Sequence, residues 1–330
     1  MVGNKNFKIV VLLILLVVSL VGCKSVDTSK DDKIKIGITQ ITEHPALDLA
    51  REGFIKALED NGFEDGNNIE IDFQSAQGDI PTSQTIAQNF VSQNKDMIFA
   101  IATPSAQSAF NSTNEIPILI TAVTDPVEAG IVKSIEKTQT NVTGTSDITP
   151  VNKQFELIKK LVPNSKKVGI IYNTSEINSK IQVDMAKEEA KKIGFDIEEV
   201  GVSSVNEVSQ AMDKLIQSVD VVYTPADNIV ASSMSLIANK CNQKNIPIIG
   251  AEESHVKLGA LATEGIDYNQ LGYETGLMAV QVLNGEKPQD MSIQHIKNTT
   301  LVINEKVAKM LDIEIPDDLK AKAQLIKGDN

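Results

Sequence analysis

The feature that most constrains this chain is that its order of elements runs twice. From Lys33, apolar runs of strand length alternate with amphipathic stretches. "KIKIGITQ" is followed by "ALDLAREGFIKALEDNGF", which carries Leu47, Ala50, Phe54, Ala57 and Leu58 on one stripe and a C-cap signal at Asn61-Gly62. Then come "NIEIDFQSA", "PTSQTIAQNFVSQ", "DMIFAIATP", "SAQSAFNST" and "IPILITAV". Beyond Pro150 the series returns as "KKVGIIYN", "NSKIQVDMAKEEAKKIGF", "DIEEVGV", "VNEVSQAMDKLIQ", "DVVYTP", a helix around Cys241 and "IPIIGAEE". Landmarks recur with the pattern: Asn61-Gly62-Phe63 answers Ile193-Gly194-Phe195, Thr103-Pro104 answers Thr224-Pro225, and Ile116-Pro117-Ile118 answers Ile246-Pro247-Ile248.

Strands alternating with helices imply parallel sheets, right-handed crossovers and ligand groups just beyond the carboxyl ends of the strands. The expected fold is therefore α/β: two similar Rossmann-like lobes with parallel sheets. The segment from Gly259 to Leu311 is too short for a third domain. It is expected to return once to each lobe, giving a three-strand hinge near Asp147, Gly265 and Lys297 that permits closure while limiting shear. Tyr268 and Tyr273, with Gly265 and Gly272, read as hinge or packing residues. In this division residues 33–147 with 266–296 form one lobe, and 148–265 with 297–330 the other.

The first residues read as a leader. Lys5 and Lys8 give a basic start, "IVVLLILLVVSLVG" is apolar over signal-peptide length, and Leu20-Val21-Gly22-Cys23 resembles a bacterial lipobox. Residues 1–22 are expected to be removed as a signal peptide, with Cys23 lipidated and 23–32 serving as a polar tether. The acyl chains, palmitate among them, would anchor the chain to a membrane without spanning it, on the extracytoplasmic face. The formal charge is −13, and loss of the two leader lysines makes the mature chain more acidic, which argues against nucleic-acid binding. Cys241 then has no cysteine to pair with and reads as a structural thiol.

Six stretches end the strands: "TQITEHPALD", "ATPSAQ" and "AVTDPVEAG" in the first pass, "YNTSEINS", "TPADN" and "GAEESHV" in the second. They are rich in hydroxyls, amides and acids, and two lobes facing one another bring all six to one cleft. Asp227 reads both as the N-cap of the helix that follows and as a partner for a ligand ammonium, with Asn228 orienting beside it. Ser105, Gln107, Thr121 and Thr124 occupy the equivalent first-lobe loops. A helix N-terminus there offers N–H groups to an anion, and capping by Ser105 is the equal alternative. Gln40 and His44 lie in the first loop, His44 as a wall for a solute side chain. Tyr172 is either a stacking platform for an aromatic solute or core edge, beside Asn178. Glu252 lies after the last strand of the second pass. The three histidines, His44, His255 and His295, fall in no metal-binding spacing, and no GxSxG, HExxH, phosphate loop or CxxC occurs. The reading is a binding protein without cofactor or metal, not an enzyme.

The stretches "QITEHPALDLAREGF", "AIATPSAQ", "TAVTDPVEAGIV", "NVTGTSD", "YTPADNIVAS" and "GALATEGIDYNQLGYETGLMA" resemble the substrate-binding lipoproteins of ABC importers with the type I periplasmic-binding fold. They are most similar to the branch associated with tryptophan, tyrosine and phenylalanine. The resemblance implies capture of a small zwitterion between the lobes of a monomer and delivery to an ABC permease and its ATPase. It also implies that first-lobe hydroxyls and amides take the ligand carboxylate while a second-lobe acid pairs with the ammonium. The alternatives are a sugar or other small solute, which the absence of tryptophan weakens, or a sensing or adhesive surface lipoprotein without an importer.

Overall fold

The two passes of the alternating pattern build two separate sheets. The computed structural model describes residues 33–327, so the leader, Cys23 and the tether lie outside the described residues. The first pass gives β1 (Ile34–Gln40), α1 (Pro45–Asp60), β2 (Ile69–Ser75), α2 (Ile80–Ser92), β3 (Met97–Ile101), α3 (Thr103–Ser112), β4 (Ile118–Val123) and β5 (Val142–Ser146). The second gives α4 (Val151–Leu161), β6 (Lys167–Asn173), α5 (Ile177–Ile193), β7 (Asp196–Val202), α6 (Val205–Leu215), β8 (Val221–Thr224), α7 (Asn228–Ser232), α8 (Met234–Asn242), β9 (Ile248–Gly250), α9 (Glu253–Lys257) and β10 (Ala262–Gly265). The remainder supplies α10 (Tyr268–Leu283), β11 (Gln294–His295), β12 (Thr300–Asn304), α11 (Glu305–Met310), α12 (Asp317–Lys320) and β13 (Gln324–Ile326).

The first sheet runs β2-β1-β3-β4-β5-β11 and the second β7-β6-β8-β9-β10-β12-β13. All pairings in the first are parallel, and in the second β12 alone runs antiparallel to its neighbour β10. The chain passes between the sheets after Ser146, after Gly265 and after His295.

Burial follows from the layering. β3 and β4 are buried along their whole length because helices cover both faces of a parallel sheet, whereas the edge strand β2 is only partly covered. Phe54 of α1 stacks on Phe99 of β3 with ring centroids 3.7 Å apart, pinning α1 to the sheet. Helix α10 comes back to the first lobe and lies against α1 with almost no side chain between them. A Cβ at Gly53 would stand 2.0 Å from the Asn269 carbonyl oxygen, one at Gly272 would stand 1.8 Å from that of Ala50, and one at Gly276 would stand 2.5 Å from the Ala57 Cβ. The three glycines therefore set the separation of the two helices, and with it the position of the loop that starts α1.

A Gly272→Ala substitution forces α1 and α10 apart. It is expected to cost about 1–3 kcal/mol in urea unfolding, the range for overpacking a tight contact. A midpoint unchanged from wild type would contradict the backbone-contact geometry.

Candidate functional site

In each sheet the order reverses at one place, between β1 and β3 and between β6 and β8, and the loops leaving these strands meet between the lobes. His44 caps the start of α1 with its backbone extended and its ring buried. Its Nε2 lies 3.4 Å from Asn228 Oδ1, a contact that runs from one lobe to the other. After β3 the chain turns through Ala102 at φ +76°, left-handed backbone that a residue with a Cβ adopts only under strain, as happens at binding sites. This turn leads straight into α3. The N–H groups of Thr103 and Ser105 precede the first helical bond, from Ala106 N–H to the Ala102 carbonyl. The hydroxyls of Thr103 and Ser105 are buried without a partner. Two N–H groups and two hydroxyls thus collect at one helix N-terminus.

The facing wall is acidic. Glu176 is a hub: its Oε1 accepts from Asn173 Nδ2 at 2.9 Å, and its Oε2 accepts from Asn178 Nδ2 at 3.0 Å and from Asn228 Nδ2 at 2.6 Å. Asp227 caps α7, with Oδ1 accepting the Val230 N–H at 3.0 Å, and Oδ2 ties in the end of β6 through the Asn173 N–H at 2.6 Å. Glu252 accepts from the Ser254 hydroxyl at 2.9 Å and lies 3.7 Å from His255 Nε2. Asp147, where the chain first leaves the first sheet, accepts from Thr124 Oγ1 at 3.2 Å and from the Tyr268 hydroxyl at 2.8 Å.

All four carboxyls are 5 % exposed or less. Among the described residues, the one basic group within 4.0 Å of any of them is His255. Burial pushes the Glu252 carboxyl up to about 8, with the charges of Asp147 and Asp227 adding to the effect. Burial, then the neighbouring Asp227, raises Glu176 to about 7, and burial also moves Asp147 and Asp227 upward. The imidazoles give no relief: burial lowers His44 to about 4 and His255 to about 3, so both are neutral at physiological pH. The cleft therefore joins a neutral, donor-rich wall to an acidic wall that, among the described residues, has no cation.

The structure gathers His44, Ser105, Asn178, Asp227 and Asn228 at the strand ends, with Thr124 and Glu252 beside them through Asp147. Other candidates are committed elsewhere. Gln40 accepts from Arg51 at 2.7 Å and donates to the Thr42 carbonyl and to Asp48, bracing the loop that carries His44. Gln107 donates to the Ala129 carbonyl. The Thr121 hydroxyl joins Thr145 and Thr275 in a buried chain beneath α10. Tyr172 packs at the edge of the second-lobe core, beside Gly201. Sequence reasoning places Glu176 in the second-lobe loop with Tyr172 and Asn178 but gives it no role, and it does not single out Asp147 or Thr103 as site residues. The signal was present in the loop "YNTSEINS", where one acid stands between two asparagines.

Residues 35–327 match the family of ABC transporter substrate binding proteins. A tyrosine-binding protein of Clostridioides difficile is 50% identical over 322 residues, covering 94% of this chain and 93% of that protein. A Streptococcus pneumoniae ABC domain solved in complex with L-Trp is 37% identical and superposes with a TM-score of 0.86, covering 89% of this chain and 99% of that one. The ligand-free, open structure of a Clostridium difficile substrate binding protein with adhesive properties is 53% identical but has a TM-score of 0.68, with coverage of 89% and 99%. The L-Trp complex thus superposes better than the ligand-free, open structure despite its lower identity. Two lobes on parallel-dominated sheets, a polar cleft at their strand ends and a family match along the whole described chain lead to one statement: this protein belongs to the ABC transporter substrate-binding proteins, on the type I periplasmic-binding fold.

Proposed function

We propose that this chain is the extracytoplasmic receptor of an ABC importer, held to the membrane through lipidated Cys23. As a monomer it closes on an aromatic amino acid and hands it to a permease driven by its ATPase. The single observation that carries the ligand class is the opposition of the two walls. Unpartnered hydroxyls and free N–H groups of Thr103 and Ser105 suit a carboxylate at the start of α3, and four buried carboxyls without a cation suit an ammonium. A zwitterion satisfies both ends at once, which a sugar does not. Asp227 and Glu252 form the acidic wall on this reading. With both oxygens of Asp227 already accepting backbone N–H groups, Glu252, whose Oε1 accepts none, takes the more direct share. The aromatic side chain is supported by the similarity to a tyrosine-binding protein and to a protein solved with L-Trp. A second role in surface adhesion has one observation in its favour, the adhesive properties of the 53% identical protein. It does not compete with solute binding.

Thermal-shift and calorimetric titration of the mature domain with the twenty amino acids and a sugar panel tests the ligand class. Stabilisation by tyrosine or tryptophan is expected, and stabilisation by sugars alone would refute it. Replacing Ser105 with Ala and Glu252 with Gln should each weaken amino-acid binding about tenfold or more, since each leaves one charged end of the solute poorly satisfied. Equal affinity in both variants would remove these residues from the site.

The acids also set a pH dependence of the ligand-free protein. Glu176 and Glu252 have folded-state values raised above their ordinary value of 4.5, so the folded form binds more protons than the unfolded one between those limits. Stability is fully present below about pH 4.5 as far as these groups are concerned, and is lost as pH rises through about 7 and 8. The melting temperature without ligand should therefore fall between pH 6 and pH 8.5. The slope should flatten in Glu252→Gln, and a slope unchanged in that variant would show that Glu252 is not the titrating group.

A further inference from the structure

One hydrogen-bonding atom in the cleft has its role fixed by its neighbours, while no partner for it lies in the described chain. Glu176 receives N–H groups on both oxygens, so Asn228 turns its Nδ2 to Glu176 at 2.6 Å and its Oδ1 toward the first lobe. His44 Nε2 meets that oxygen at 3.4 Å and must carry the ring proton. A neutral imidazole has one N–H, so Nδ1 is left as a bare acceptor. It is buried and unpartnered, in a residue only 6 % exposed. The ionisable groups around the ring are accounted for. Asp48, one turn along α1, is held by Arg51 and Gln40; Glu176 and Asp227 accept from amides and backbone; and the neutral His255 of the second lobe bonds Thr224 through Nδ1. None of them donates to His44 Nδ1.

The ring is also well held. α1 is fixed by the Phe54–Phe99 stack and by the glycine contacts with α10, and Gln40 and Arg51 brace the loop on the other side. β1, which leads to His44, is the immediate neighbour of β3, which leads to Ser105, and it lies farther from the crossings between the lobes than β3 does. Neighbouring strands are about 4.8 Å apart. A solute whose carboxylate rests at Ser105 would extend its side chain outward to the level of His44.

We infer that His44 Nδ1 accepts the ring O–H or N–H of the bound aromatic amino acid, and that His44 thereby selects tyrosine and tryptophan over phenylalanine. This rests on the ligand class proposed above. Carboxylate and ammonium are common to the three amino acids, whereas the phenol and the indole each bring a donor that the phenyl ring lacks. Phenylalanine would leave the buried acceptor unpaired, the arrangement in which a site discriminates most strongly.

The test is calorimetric titration of L-tyrosine, L-tryptophan and L-phenylalanine into the mature wild-type domain and into His44→Phe and His44→Gln. Wild type is expected to bind tyrosine and tryptophan about 10- to 100-fold more tightly than phenylalanine. His44→Phe should weaken these two more than phenylalanine and bring all three to one level, on top of a smaller loss common to all three from the missing Nε2–Asn228 contact. His44→Gln, whose carbonyl still accepts, should keep part of the preference. Phenylalanine binding to wild type as tightly as tyrosine overturns the assignment while leaving the ligand class intact. So does an equal loss for all three in His44→Phe, which marks a purely structural histidine. Binding of none of the three overturns the ligand class, and the assignment with it.

Discussion

Carboxyl groups buried without a cation are the constraint around which this molecule is arranged. Asp147, Glu176, Asp227 and Glu252 come from four different strand ends, and closure of the lobes puts them all out of water. An isolated charge in such a place is expensive, and removing water from an acid shifts its proton affinity before it forces the structure apart. The protein softens the cost locally. Three asparagine amides surround Glu176, backbone N–H groups hold Asp227, and hydroxyls reach Asp147 and Glu252. Hydrogen bonds from neutral donors spread the charge but do not cancel it.

The scaffold keeps these groups in register by rigid means. Central strands buried on both faces fix the strand ends, and the helices that begin there are placed by backbone contact at Gly53, Gly272 and Gly276. Because α10 enters from the second lobe and packs on α1 of the first, the helix that carries His44 is fastened to an element arriving from the other lobe. The Tyr268–Asp147 hydrogen bond joins two of the crossings between the lobes.

Much of this was legible in the residues. The repeat of apolar runs foretold parallel sheets, and parallel sheets pointed to the polar loops after the strands as the candidate site. His44, Ser105, Asn178, Asp227 and Asn228 were singled out on that ground and lie at those ends. The direction of each side chain was not legible. Thr121 and Tyr172 sit near strand ends like their neighbours, yet Thr121 turns under α10 and Tyr172 toward the second-lobe core. Gln40 and Gln107 have the chemistry of ligand groups but spend it on the chain itself. Asp227 was read both as a cap and as a charge for a ligand. The cap is present, and it occupies one of the two oxygens.

The sequence by itself determined the two-lobed α/β architecture, the polar loops at the strand ends and the acidic balance of the chain. Those follow from local periodicity and composition, which each segment carries whatever its neighbours do. Tertiary structure alone decided that Glu176 is a hub, that four acids share one wall with no cation among the described residues and that His44 presents a bare Nδ1. Each of these is a relation between side chains far apart in the chain, and burial converts it into a shifted proton affinity or an unpaired atom. Solvent exclusion between the lobes is the physical step that no single segment encodes.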